Sequence, residues 1–263
     1  MIKRPWSPVS ASEHKTYTRC QRLWAAQYMS ELWPAPERPT GMFALGTAFH
    51  GVIEKYLDST VMPHDASDPL TEMFVAALPF LPKPYSGLTE QKWSATFDGV
   101  PWGGAADYVS HDRKLIVDFK TGKTPRRYGT ITRAQKLADV QTVAYCAKYI
   151  GEQEAITFDH LYVEKHKAAV AKYEGADKAR NSPVVTKAFN TPVLLSREEL
   201  GEAWAPVSEA AQRLYSIRSK GAAVDPASMP FPDPSTGACD EYGGCVHKDR
   251  CFPGGDFRCL DVD

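Results

Sequence analysis

The 263-residue sequence has no apolar run approaching the roughly 18 residues that a membrane span requires. Its first residues, Met1-Ile2-Lys3-Arg4-Pro5, lack the apolar core of a secretory signal. Neither charge is in excess: 31 Lys and Arg stand against 32 Asp and Glu, a formal net charge of −1. Phosphate neutralisation drives nucleic-acid affinity, so a general nucleic-acid coat should be basic. The balance leaves open an enzyme whose acidic ligands offset a basic groove. Internal repeats are missing, and the six cysteines form no paired C-x2-C knuckles. What remains is an ordinary globular composition, 43% hydrophobic and 24% charged, expected in the cytoplasm.

Periodicity orders the chain. Ser10-Ala11-Ser12-Glu13 matches a capping box. Tyr17, Cys20, Trp24 and Tyr28 follow at helical spacing, which predicts one helix with Cys20 in its middle, ended by Pro34 and Pro36. A second helix is expected over 42–57, burying Leu45, Phe49, Val52, Ile53 and Tyr56, and a short one near 70–78. The period then changes from 3.6 to 2 at Gln91, Trp93, Ala95 and Phe97. Asp98-Gly99 marks a hairpin. A second strand is expected over 100–109, a turn over His111-Asp112-Arg113-Lys114, and a short apolar strand over 115–120.

Further on, the pattern predicts an unbroken helix over 133–150 and a strand over 156–163. An exposed charged excursion is expected over 164–182, and an edge strand over 184–195. Ser196-Arg197-Glu198-Glu199 caps a last helix to about Ser219, in which Pro206 is tolerated only near the first turns or at a kink. The expected organisation is one domain over 1–263: N-terminal helices over 1–80, a core over 88–195, a helix over 196–220 and a cysteine-rich tail over 221–263. The fold class is α/β, with a mixed central sheet flanked by helices.

The chemistry gathers at Asp107 and at Val117-Asp118-Phe119-Lys120. Residues two apart in a strand share a face, so Asp118 and Lys120 project together. Antiparallel pairing sets Asp107 beside Asp118 if the turn is centred near 111–113. Two carboxylates on adjacent strands make a hard oxygen site for Mg²⁺ or Mn²⁺. Such a site suits phosphodiester hydrolysis, and a neighbouring lysine can orient water or stabilise a developing anion. An isolated Asp-x-Lys reads equally well as a salt bridge on an edge strand. Here the aspartate closes the apolar run Leu115-Ile116-Val117, where an unpaired carboxylate would be costly. Lys123, Arg126 and Arg127 form either a basic rim or a solvated loop.

The stretch Gly104-Ala105-Ala106-Asp107 followed by Ile116-Val117-Asp118-Phe119-Lys120-Thr121-Gly122 resembles the core of the RecB-like PD-(D/E)XK nucleases. Gly46-Thr47-Ala48-Phe49-His50 resembles that family's helical G-x-x-x-H motif, and Gln141 to Tyr145 its Q-x-x-x-Y motif. Glu90 stands where many members carry another acidic residue. The resemblance spans about residues 10–163 together with the cysteine tail. It implies a restriction-endonuclease-like core. It also implies metal ligation by His50, Asp107, Asp118 and the Phe119 backbone carbonyl, with Lys120, Glu90, Gln141 and Tyr145 completing the catalytic set. DNA is the implied partner, as single strands or ends. A homo-oligomer or a recombination-protein partner is open.

Cys239, Cys245, Cys251 and Cys259 crowd the last 25 residues. Without a secretory signal, this clustering favours metal ligation over disulfides. The layout is similar to an iron–sulfur subset of the family, the AddB-type subunits and CRISPR-associated RecB-like exonucleases. That resemblance implies a [4Fe-4S] cluster on Cys20, Cys239, Cys245 and Cys251, with Cys259 as the alternate; Zn²⁺ is the other metal considered. Cys146 reads as a small buried hydrophobe. The function so implied is a Mg²⁺- or Mn²⁺-dependent deoxyribonuclease, an exonuclease acting at DNA ends, of a stand-alone kind that phages encode. The competing expectation is a non-cleaving module that binds DNA ends, or a zinc-stapled structural module of a recombination or repair complex.

Overall fold

The computed structural model describes residues 7–30, 44–122, 131–220, 224–230 and 251. The chain forms two compact units, one of Met1–Glu37, Ser94–Gly103 and Ala205–Asp263, the other of Arg38–Trp93 and Gly104–Trp204. Among the described residues no helix is long and apolar enough to cross a membrane.

In the first unit, α1 (Ala11–Arg19) starts at Ser10, whose Oγ accepts from the Glu13 N–H at 3.2 Å. The box is only half closed. Glu13 turns inward instead, where it is fully buried and takes two bonds from Arg218 Nη1 at 2.9 and 2.8 Å and one from Trp24 Nε1 at 3.3 Å. The expectation of one helix carrying Cys20 at its centre fails. Cys20 is extended (φ −159, ψ 108), and its Sγ accepts from the Leu23 N–H at 3.4 Å, capping a new helix α2 (Gln21–Tyr28). A cap satisfies an amide that a fresh helix start would otherwise orphan. Tyr17 and Trp24 still meet edge to face across this break, 5.2 Å apart.

The second unit holds most of a six-stranded sheet in the order β1-β2-β3-β4-β5, with β6 also on β4. β1 (Gly87–Phe97) and β2 (Val100–Ser110) join through Asp98 and Gly99, both at positive φ (49° and 78°), as a two-residue hairpin of this twist demands. β2 pairs antiparallel with β3 (Leu115–Gly122), and β3 pairs parallel with β4 (Ala155–Glu164), so the sheet is mixed. The expected edge strand is two short ones, β5 (Ala188–Asn190) and β6 (Val193–Ser196). Each pairs antiparallel with a different half of β4.

Helices pack on this sheet. α3 (Ala44–Ser59) and α4 (Pro69–Ala77) contribute Leu45, Phe49, Ile53, Met73 and Phe74 to a core shared with Tyr108, Val117, Phe119 and Leu161. Each large apolar side chain removed from water there contributes about 1.5–3 kcal/mol. Residues 164–182 are not the exposed excursion expected. They form α7 (Lys167–Glu174) and α8 (Ala176–Ala179), which bury Ala169, Val170 and Ala179 in the same core. Three small anchors among charges are too sparse to register as an amphipathic period.

The helix expected over 133–150 is likewise divided. α5 (Arg133–Leu137) starts with a full capping box between Thr132 and Gln135. α6 (Val140–Tyr149) restarts at Asp139, whose Oδ2 accepts from the Thr142 N–H and Oγ1, each at 3.0 Å. The restart places Gln141 in the first turn of a helix facing β3. α9 (Arg197–Ser219) opens with the expected reciprocal cap: Ser196 N–H donates to Glu199 Oε2 at 2.9 Å, and Glu199 N–H to Ser196 Oγ at 3.2 Å.

Candidate active site

The site lies wholly in the second unit. β2 and β3 pair Tyr108 with Val117 and Val109 with Ile116. Asp107 and Asp118 are the next residues beyond the Tyr108–Val117 pair, and their charges act on each other. Val117 and Phe119 enter the apolar core. Alternation then turns Asp118 and Lys120 to the opposite face, where Gln141 of α6 meets them. Asp107 Oδ2 accepts from the Phe119 N–H at 2.7 Å, which ties the first carboxylate to the second strand.

Asp118 is 2% exposed, and a bare carboxylate there would cost several kcal/mol. Two neighbours compensate it, and a third lies close. Gln141 Nε2 donates to Oδ1 at 2.8 Å. Lys120 Nζ forms an ion pair with Oδ2 at 2.6 Å. His160 of β4, the register partner of Asp118, brings its Nε2 to 3.5 Å from the same oxygen. Burial opposes the Lys120 charge. Asp118, with help from Asp107 and Asp139, outweighs it and holds the ammonium above its ordinary range.

Asp107 faces the other way along the site. Its Oδ1 lies 3.6 Å from His50 Nδ1, and Glu90 Oε1 lies 4.0 Å from the same nitrogen. Donor atoms of His50, Glu90 and Asp107 all fall within 4.8 Å of one another. Glu90, the least buried of the three, adopts positive φ (44°) within β1. A non-glycine residue there is strained, and such strain concentrates at functional sites.

Burial, then the Asp118 charge, push the Asp107 carboxyl up to about 7. Burial pulls the His50 imidazole below its ordinary value, against the pull of Asp118. This donor set could hold a cation. One imidazole nitrogen and two carboxylates are hard-to-borderline donors suited to Mg²⁺ or Mn²⁺, and a positive charge would relieve the repulsion that raises Asp107.

Tyr145 closes the wall. Its hydroxyl donates to the Ala105 carbonyl at 2.7 Å, and its ring meets Trp93 edge to face at 5.6 Å. Gly104 lets both rings approach: a Cβ there would lie 3.1 Å from Trp93 Nε1 and from Tyr145 Cε1. Burial pushes the Tyr145 phenol up.

The structure thus brings His50, Glu90 and Asp107 into one group and Asp118, Lys120 and Gln141 into another, joined through Asp107 and Phe119. In the sequence pattern His160 went unremarked. The signal was present, since Asp159-His160 interrupts an apolar strand and a buried polar pair needs a reason. Of the six cysteines, Cys20 and Cys146 are buried and Cys251 is half-buried. Cys239, Cys245 and Cys259 lie outside the described residues, as do Lys123, Arg126 and Arg127.

Residues 8–102 match the PD-(D/E)XK nuclease superfamily. The matched stretch contains Cys20, His50 and Glu90 and stops before Asp107. The fold is similar to a crystal structure from Eubacterium rectale described as a "Putative exonuclease", with 11% sequence identity and a TM-score of 0.45 over 81% of this chain and 82% of that one. No curated protein matches the chain in sequence.

Proposed function

We propose that the protein is a divalent-metal-dependent nuclease that hydrolyses phosphodiester bonds of DNA, with exonucleolytic action at DNA ends. The observation that carries this reading is the placement of Asp107 and Asp118 on the adjacent strands β2 and β3, tied by the Phe119 N–H on Asp107 Oδ2 and beside a lysine 2.6 Å from Asp118 Oδ2. The superfamily match over residues 8–102 supports it independently, because it rests on other residues.

His50, Glu90 and Asp107 would hold a Mg²⁺ or Mn²⁺ ion, with Asp118 and the Phe119 carbonyl joining them. Such an ion, when bound, supplies Lewis acidity toward water and toward the phosphate oxygens. The chain's own groups do the rest. Lys120 presents an ammonium at the carboxylate edge, where it can orient water and offset charge on the phosphate. Gln141 keeps Asp118 in place from α6. Tyr145, anchored to the β2 backbone, bounds the space that DNA would enter.

The same reading includes a [4Fe-4S] cluster on Cys20, Cys239, Cys245 and Cys251 or Cys259. Its support is the sequence resemblance, with Cys20 in a buried break between two helices.

The test is incubation of end-labelled single-stranded and duplex DNA with the anaerobically purified protein in Mn²⁺, Mg²⁺ or EDTA, beside Lys120→Ala. Metal-dependent release of label that Lys120→Ala abolishes is the expected result. Binding of DNA without cleavage in either metal would refute the nuclease reading.

A further inference from the structure

His160 belongs to none of the motifs that suggested the site, yet the fold sets it against Asp118. The parallel register of β3 and β4 makes the two residues direct partners. The His160 side chain is 7% exposed, and its Nε2 lies 3.5 Å from Asp118 Oδ2. That oxygen is buried, with the Lys120 ammonium 2.6 Å away. The ring is wedged between Phe158 and Tyr162, at 5.0 and 5.6 Å, so it has little freedom to turn away.

We propose that His160 is a positioning residue for Asp118, holding Oδ2 through a proton on Nε2; this rests on the nuclease reading above. An ionised carboxylate only accepts hydrogen bonds. A bare Nε2 would set one lone pair against another in a buried space, whereas an Nε2–H faces the oxygen with a second donor beside the Lys120 ammonium. With Gln141 Nε2 on Oδ1, the carboxylate is then held at both oxygens from two elements. It is fixed in plane without relying on the flexible Lys120 stem. Lys120 thereby stays available to substrate instead of serving as the only counterpart of Asp118.

Groups that orient a metal-site carboxylate typically change metal affinity or turnover by about 10–100-fold when removed. Three variants separate the donor from the ring's bulk. His160→Phe keeps the ring and removes the donor. His160→Gln restores an N–H near the Nε2 position. His160→Asn sets its amide nearer the Nδ1 position.

The experiment has two readouts that need no cleavage. The first is the imidazole nitrogen spectrum of the histidine-labelled protein, which reports whether His160 Nε2 carries the proton. The second is Mn²⁺ affinity by titration. We expect a protonated Nε2, a loss of Mn²⁺ affinity or of kcat of about 10-fold or more in His160→Phe and His160→Asn, an unchanged KM for DNA, and recovery in His160→Gln. A bare Nε2 would overturn the proposal, as would wild-type Mn²⁺ affinity and kcat in a folded His160→Phe. If the wild-type protein cleaves nothing, the nuclease reading falls by itself, while the nitrogen spectrum and Mn²⁺ titration still decide the role of His160.

Discussion

Gln141 Nε2 donates to Asp118 Oδ1 at 2.8 Å, joining the first turn of α6 to the centre of the sheet. The bond exists because Asp139 restarts the helix two residues earlier. Gln141→Ala removes a charge-assisted bond from a buried carboxylate while leaving the helix cap intact. Turnover is expected to fall by about 10–100-fold with KM for DNA little changed, measured by single-turnover cleavage. A change confined to KM would mean that Gln141 contacts DNA rather than Asp118.

If Asp107 holds the proposed metal, its raised carboxyl ties metal binding to pH. Its carboxyl moves from the ordinary 3.8 to about 7 in the folded protein, from burial first and Asp118 second. The folded state thus binds this proton more tightly than the unfolded chain. Stability contributed by Asp107 is lost as pH rises from 3.8 through about 7. His50 and His160, both lowered by burial, act in the opposite sense, losing stability as pH falls. The Asp107 component is therefore read against Asp107→Asn. In EDTA, the variant's Tm should gain on the wild type between pH 4 and pH 8 (about the span of the shift). Mn²⁺ at the upper pH should raise the wild-type Tm more than that of the variant. Parallel pH curves for the two proteins would refute this.

Glu13 and Arg218 form a fully buried ion pair inside the first unit. Removing one partner leaves the other uncompensated, at a cost of about 3–5 kcal/mol. Glu13→Ala and Arg218→Met should each lower the urea midpoint by that measure. The double variant Glu13→Leu with Arg218→Met should recover much of the loss, since paired apolar replacements avoid the stranded charge. A double variant as unstable as the sum of the singles would show that the Trp24 and Ser7 contacts dominate instead.

Gly104 admits two aromatic rings. Alanine there would sit 3.1 Å from both Trp93 Nε1 and Tyr145 Cε1, so the rings must shift by a few tenths of an ångström. Overpacking of this kind costs about 1–3 kcal/mol. Gly104→Ala should lower stability and also turnover, because Tyr145 hangs from the Ala105 carbonyl next door. Unfolding curves and cleavage rates measured together check both effects.

The cap made by Cys20 is separable by experiment from the cluster role proposed for it. The thiol caps α2, and serine can take over that bond. Cys20→Ser should keep helix content and thermal stability of the metal-free protein, yet lose bound iron if Cys20 is a cluster ligand. Iron analysis of anaerobically purified protein decides it. Full iron content in Cys20→Ser would leave the residue as a cap alone.

Much of the site was legible from short-range pattern. Alternation on β3 put Asp118 and Lys120 on one face, and an eleven-residue spacing with a turn set Asp107 on the adjacent strand. Those are local rules, and the hairpin at Asp98 and Gly99 follows the same logic. Where local rules misled, a side chain competed with the backbone: the Cys20 thiol and the Asp139 carboxylate each restart a helix that periodicity alone would run on. Residues 164–182 escaped notice because Ala169, Val170 and Ala179 are buried by what packs over them, not by their own hydrophobicity.

By itself the sequence determined the strand order through β3, the carboxylates on adjacent strands and the lysine beside them, because neighbours in sequence become neighbours in a hairpin. Only the tertiary structure decided that β4 lies parallel to β3 and brings His160 to Asp118, a contact across more than forty residues. It also turned Glu90 toward His50, and it sent Glu13 to Arg218 instead of to its own helix cap. Such pairings depend on which buried charge finds a partner once the core has closed. That choice is set by desolvation in the folded interior, which no local spacing encodes.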